Sequence, residues 1–290
     1  MYTDSEIHAL IQLLDDNDHE VSRHVHDKLL SLGKDVIPAL EQAWSAETNP
    51  LTHDRLEEII HEIQFAGLVK EWSDWINSDR PDLFTGAYLI AKYHYPDLAV
   101  DEVQKKLNKI KQSIWLELNN NQTPLEQIQI FNQIFYTFHA FKGSQSSSDF
   151  QDFCINSVLD NKKGNAVSIG IIYQILANEL TIPVYGVNLT RHYILAFCKK
   201  LFFEFDTEQQ LERDVMFYIN PINRGSIFSR NEIKDYLEKM NEEQREEYFM
   251  PSDNPSIIRE QLKYLIEIYE QQNRHDRSGE LAYLEKLLQP

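Results

Sequence analysis

Between residues 164 and 206 the chain changes its pattern of construction, and that change limits the folds open to it. The run GNAVSIGIIYQILANEL reads as an apolar helix reached through a glycine turn. TIPVYGVNL and HYILAFCKKLFFEFD follow, rich in Val, Ile, Tyr and Phe, and read as strands. The first 118 residues have a different character, with apolar residues at helical spacing throughout. Ile7, Leu10, Ile11 and Leu14 form one stripe and Val21, Val25, Leu29 and Leu32 a second, with Gly33 as its stop. Ile37, Leu40 and Trp44 form a third, and Leu56, Ile59, Ile60 and Ile63 a fourth, with Thr52 expected as its cap. A long helix is expected at about 99–118. The expected fold is therefore α+β and mostly helical, with one short antiparallel sheet.

Punctuation along the chain divides it. In NNNQTPLE, Thr123 is placed to cap and Pro124 to occupy the first helical position, with a helix running to about Phe138. GSQSSSDF at 143–150 reads as a loop, and SRNEIKDYLEKM as a helix. IIREQLKYLIEIYEQQN and SGELAYLEKLLQ read as a helical pair separated by RHDR. The expected parts are a helical region at 1–118, a core at 119–250 and a helical hairpin at 251–290.

Bulk properties exclude several functions. Lys and Arg number 28 against 46 Asp and Glu, a formal net charge of −18. Such a chain repels phosphate backbones, so nucleic acid is not an expected partner. No run approaches the roughly 18 apolar residues of a membrane span, and no secretory leader is visible. Two cysteines, Cys154 and Cys198, do not make a disulfide scaffold. A cytoplasmic location is expected. The histidines are scattered without cysteine partners, and no HExxH, CxxC, GxGxxG or P-loop occurs. No metal and no cofactor is expected.

One constellation carries chemistry. His192 opens one strand-like run and Asp206 closes the next. A two-residue turn at Lys199 and Lys200 places Asp206 opposite Tyr193, and a three-residue turn centred on Lys200 places it opposite His192. Either register separates Cβ atoms by about 4.5–5.5 Å. A carboxylate at that range can hold an imidazole in the tautomer that a catalytic base requires.

The stretch NSVLDNKKGNAVSIGIIYQILANELTIPVYGVNLTRHYILAF, with FEFDT after it, resembles the transglutaminase-like superfamily, and more narrowly its SirB-associated bacterial branch. PALEQAW, RLEEIIHEIQF, GAYLIAKYHYPDL and FYINPINRG extend the likeness to a longer subtype with HEAT-like N-terminal helices and a tetratricopeptide-like tail. The resemblance implies a papain-like core in which a cysteine begins the helix, a His on the next strand is the base, and an Asp orients it. Those positions fall on Ala166, His192 and Asp206. GNAVS follows the branch pattern Gly-Asn-Pro-Ile/Val-Ser apart from its Ala. Ala166 has no nucleophilic atom, so the resemblance implies a relict pair, His192 and Asp206, in a pocket formed with Gly164, Asn165, Ser168 and Tyr193.

Other residues are poor substitutes for the thiol. Ser168 lies about 200° around the helix from Ala166 and faces away. Cys198 shares a strand face with His192 but is roughly 20 Å along it, against the ~3 Å that a nucleophile and its base require. Cys154 precedes the glycine turn and reaches the base only through a particular tertiary arrangement. The expectation is a non-catalytic module that binds a protein or peptide. The alternatives are a cysteine-protease-type hydrolase or acyl transferase with a displaced nucleophile, and a small-ligand pocket.

Overall fold

The computed structural model describes residues 4–15, 18–144, 149–189, 192–200 and 214–288. The chain forms two compact units, Met1–Asp74 and Trp75–Pro290. The first unit holds α1 (Asp4–Gln12), α2 (His19–Leu32), α3 (Ile37–Ala46) and most of α4 (Pro50–Ile76). The four sequence stripes meet in its core, where Ile11, Leu14, Leu29, Leu40, Leu56 and Ile59 are buried together. Burying such side chains contributes about 1.5–3 kcal/mol each, so helices this short persist by packing. Asp18 caps α2 through the amide of Glu20 at 2.9 Å. The cap expected at Thr52 is not one. Asn49 Oδ1 accepts from the Leu51 amide at 3.1 Å, Pro50 opens the helix, and Thr52 is buried within the first turn. Asn caps as well as Thr does, and proline's fixed φ suits the position after the cap.

The second unit carries the sheet. Its helices begin with α5 (Leu83–His94) and α6 (Val100–Trp115). Then α7 (Pro124–Asn132) starts with the expected Thr123 cap, reinforced by Glu126 in a reciprocal capping box. Its continuation to Phe138 is a π-helical turn, Gln133–Phe138. Two short strands, β1 (Lys142–Gly143) and β2 (Lys163–Gly164), pair in parallel on either side of α8 (Ile155–Asn161). They deliver the chain to α9 (Ala166–Glu179), which is buried almost all round, as its continuous apolar sequence requires.

Four antiparallel strands follow in spatial order: β3 (Val184–Leu189), β4 (His192–Cys198), β5 (Val215–Asn220) and β6 (Ser226–Phe228). The helices α10 (Arg230–Lys239), α11 (Asn254–Gln271) and α12 (His275–Leu287) complete the chain, the last two packing on each other. The protein is a mostly helical α+β fold with a small antiparallel sheet. Among the described residues no helix is long and apolar enough to cross a membrane.

The sheet is covered on both faces, and strand alternation sorts its side chains between them. Ile194, Ala196 and Cys198 join a cluster with Ile233 and Leu237 of α10. Tyr193 and Leu195 point to α9, where Gly170 makes room: a Cβ there would lie 2.4 Å from Tyr193 Cε1. Gly186 does the same across the ladder, where a Cβ would lie 2.0 Å from the Tyr193 hydroxyl. The Tyr193 ring thus occupies a slot made by two absent side chains.

Among the described residues the strand beside β4 is β5, not a run joined to it by the tight turn expected at Lys199 and Lys200. Leu195–Phe197 pairs with β3 on one side and with Phe217–Ile219 of β5 on the other, and the Cys198 amide donates to the Pro183 carbonyl while the residue pairs with Val215, so both edges of that stretch are filled. The Lys199 amide donates to the Asp214 carbonyl at 2.9 Å, and both lysine ammonium groups lie within 3.9 Å of the Asp214 carboxylate. The strand beside β4 was missed because VMFYIN is short and has no strict alternation. The LFFEFD segment, with Asp206, lies outside the described residues.

Candidate functional site

The start of α9 is fixed by a compact set of polar contacts. Asn165 caps the helix, its Oδ1 accepting from the Ser168 amide at 2.8 Å. The Ser168 hydroxyl donates to the Asp152 carbonyl at 2.6 Å, and the Asn165 amide donates to the same carbonyl at 3.3 Å. Gly164 is needed for this approach, since a Cβ there would lie 2.5 Å from Ser168 Oγ. Ala166 is the first helical residue. No acceptor among the described residues meets the amides of Ala166 or Val167. Such amides are the unpaired donors of any helix N-terminus.

His192 stands across from this start. It is the first residue of β4, paired with Leu189, and its parity with Ile194 puts it on the α10 face. There its Nε2 meets the Tyr236 hydroxyl at 2.5 Å, with the rings nearly perpendicular. His192 as a residue remains exposed, and its partial burial lowers the imidazole pKa below the ordinary 6.5. A neutral ring protonated on Nδ1 accepts at Nε2 from the tyrosine hydroxyl.

Two cavities open on the imidazole. One, of about 360 Å³, lies between Asn165, Ala166 and His192 on one side and Tyr264, Glu267 and Gln271 of α11 on the other. The second, of about 250 Å³, is walled by Leu189, Ile194, Phe228, Ile233 and Tyr236. Ala166, His192, Tyr193 and Ile222 line both, so the two form one groove. Ile222 is held in its floor by a turn tied to the helices. Pro221 accepts from the Tyr136 hydroxyl at 2.8 Å, and Gly225 from the Asn132 side-chain amide at 2.8 Å.

Of the expected site residues, the groove gathers His192, Asn165, Tyr193 and Ala166. Gly164 and Ser168 stand behind it and shape the helix start. Asp206 lies outside the described residues. Neither cysteine comes to the imidazole. Cys154 is fully buried, and its Sγ contacts the Phe150 carbonyl at 3.4 Å. Cys198 is equally buried in the cluster beneath α10. Burial pushes both thiols up, away from the thiolate that attacks. Among the described residues no three His, Cys, Asp or Glu side chains converge as a metal site. The arrangement offers a neutral imidazole, two amides that meet no acceptor among the described residues and an apolar recess, which can hold a carbonyl-bearing chain.

Sequence reasoning missed Tyr236, Tyr264 and Glu267. Tyr236 sits beside Leu237 on an apolar stripe and reads as a core residue. Tyr264, Glu267, Ile268 and Gln271 follow helical i, i+3, i+4, i+7 spacing, a signal that shows a shared face without saying what the face meets.

The sequence model of the transglutaminase-like superfamily matches residues 101–263. The chain belongs to the transglutaminase-like superfamily. The match spans the helix start, the His192 strand and the first part of α11, and ends just before Tyr264, Glu267, Ile268 and Gln271, the α11 wall of the larger cavity. The chain is similar to a UPF0162 protein of Vibrio cholerae, 23% identical over 184 residues, covering 62% of this chain and 63% of that protein. A UPF0162 protein of Xylella fastidiosa is 20% identical over 214 residues, covering 71% and 72%. The chain thus spans less than two thirds of the Vibrio protein's length. No solved structure matches.

Proposed function

We propose that this transglutaminase-like chain is a non-catalytic module that captures a peptide segment of a protein partner in the groove beside His192. The observation that carries this reading is the state of every candidate replacement for the thiol. Ala166 stands at the helix start, the Ser168 hydroxyl is bonded to the Asp152 carbonyl, and both cysteines are buried. His192 and Asp206 are read as a relict pair, with His192 now partnered by Tyr236.

The finer family placement belongs to the same proposal. We assign the chain to the SirB-associated bacterial branch, with HEAT-like helices in 1–118, the core in 119–250 and a tetratricopeptide-like pair in 251–290, acting in the cytoplasm. Helical pairs of this kind present faces suited to protein contacts.

The test is to incubate the full chain with blocked glutamine-containing peptides, with and without an added primary amine, following peptide retention, cleavage and ammonia release together. Retention without turnover is expected. Turnover that scales with protein and disappears in His192→Ala would sink the reading.

A further inference from the structure

We infer that the groove selects a polypeptide segment in which a lysine or arginine neighbours an apolar side chain. This rests on the reading of the groove as a peptide site. The two lobes differ in chemistry. The smaller is walled by Leu189, Ile194, Phe228 and Ile233, and fits one aliphatic or aromatic side chain. The larger is faced by one stripe of α11, with Tyr264 and Glu267 side by side.

Charge decides what the larger lobe takes. Among the described residues its one carboxylate is Glu267, which is exposed and makes no hydrogen bond or ion pair there. The carboxylate at the other lobe, Glu232, has its Oε2 committed to the amide and hydroxyl of Ser229. No lysine or arginine is found among the described residues lining either lobe. Tyr264 is held above its ordinary value by burial and by the charges of Glu260 and Glu267, which places the phenol in a negative field. A cation seated there meets a free carboxylate and an aromatic face together. The net charge of −18 adds a long-range attraction of the same sign.

A free small cation leaves the apolar lobe and the helix-start amides unused. A peptide uses all three: its basic side chain at Glu267, its apolar side chain against Ile233 and Phe228, and a main-chain carbonyl accepting from Ala166 or Val167 between them. Ala166 and His192 line both lobes, so these contacts fall on neighbouring residues of one extended segment.

The test probes an array of acetylated, amidated hexapeptides with the full chain, then titrates the best binder calorimetrically. Enrichment of Arg or Lys beside Leu, Ile, Val or Phe is expected. Glu267→Gln should weaken that binder about tenfold, as loss of one charge-assisted contact does, and Glu267→Lys should abolish binding. Glu270→Gln, an exposed change on the same helix outside the groove, serves as the control and should leave affinity unchanged. If the selected peptides are acidic, or bind Glu267→Lys equally well, the charge assignment is wrong while peptide capture stands. If no peptide is retained, both inference and reading fall. Cleavage of array peptides that is lost in His192→Ala overturns the non-catalytic reading alone, and the Glu267 variants still judge the charge assignment.

Discussion

Two histidines of this protein share a tyrosine partner and a depressed pKa but differ in what surrounds the ring. Each meets a tyrosine hydroxyl: His94 through Nδ1 to Tyr269 at 3.2 Å, His192 through Nε2 to Tyr236 at 2.5 Å. Each has its pKa lowered by burial. His94 is pushed down to about 3, with Arg277 and Arg274 adding to the effect. Yet His94 is stacked on Phe150 with ring centroids 4.4 Å apart, and its buried Nε2 has no partner among the described residues. His192 is an exposed residue that lines a groove. A depressed imidazole beside a phenol is therefore not the mark of a site in this molecule. The mark is open volume on the other side of the ring.

The largest expected contrast is in stability. His94 joins α5, the Phe150–Asp152 turn and α11 through stacking and one hydrogen bond. His94→Ala should cost about 2–4 kcal/mol in urea unfolding, the scale for removing an enclosed ring. His192→Ala should cost less than about 1 kcal/mol, as partly exposed changes do. Equal losses would erase the distinction between a packing histidine and a groove histidine.

Acid should sharpen it. An imidazole whose folded value lies below its unfolded value near 6.5 binds its proton more tightly in the unfolded chain. The stabilisation from neutral His94 is thus complete above about pH 6.5 and is lost as pH falls from there towards 3. The groups facing the ring reinforce this, since Arg274 and Arg277 are cationic throughout and the Tyr269 phenol stays neutral. His94→Asn, which keeps a polar atom towards Tyr269, should flatten the loss of melting temperature over that range. An unchanged slope would move the acid sensitivity elsewhere.

The smallest effect concerns the groove itself. At pH 7 the His192 ring should be neutral by nitrogen NMR, titrating below about 6.5. Tyr236→Phe removes a donor to the neutral ring and should raise the midpoint by less than about one unit. A fall in the midpoint would mean that the hydroxyl accepts rather than donates.

How legible all this was in the sequence follows from the range of each interaction. The helices of the first unit could be read from their stripes, because local spacing dictates which face is buried. The Thr123 cap and the glycine-entered apolar run of α9 were equally local, whereas Ala166 was placed at the helix start by the resemblance. The partner of β4 was not legible. Proximity in sequence favoured a hairpin at Lys199, whereas the sheet uses Val215–Ile219, more than a dozen residues later. The second wall of the groove was hidden for the same reason. Tyr236 and Glu267 reach the site only through tertiary packing of α10 and α11, which no local pattern encodes. Asp206, named from strand pattern and from resemblance alike, lies outside the described residues.

The central claim is that no nucleophile serves His192. Intact-mass measurement of the full chain after exposure at pH 7.5 to a peptidyl fluoromethyl ketone and a peptidyl activated ester tests it directly. The account predicts an unmodified wild-type chain and a singly modified Ala166→Cys chain, because only the variant has a thiol at the helix start facing the imidazole. A wild-type adduct on Ser168, Cys154 or any other side chain that vanishes in His192→Ala would contradict it.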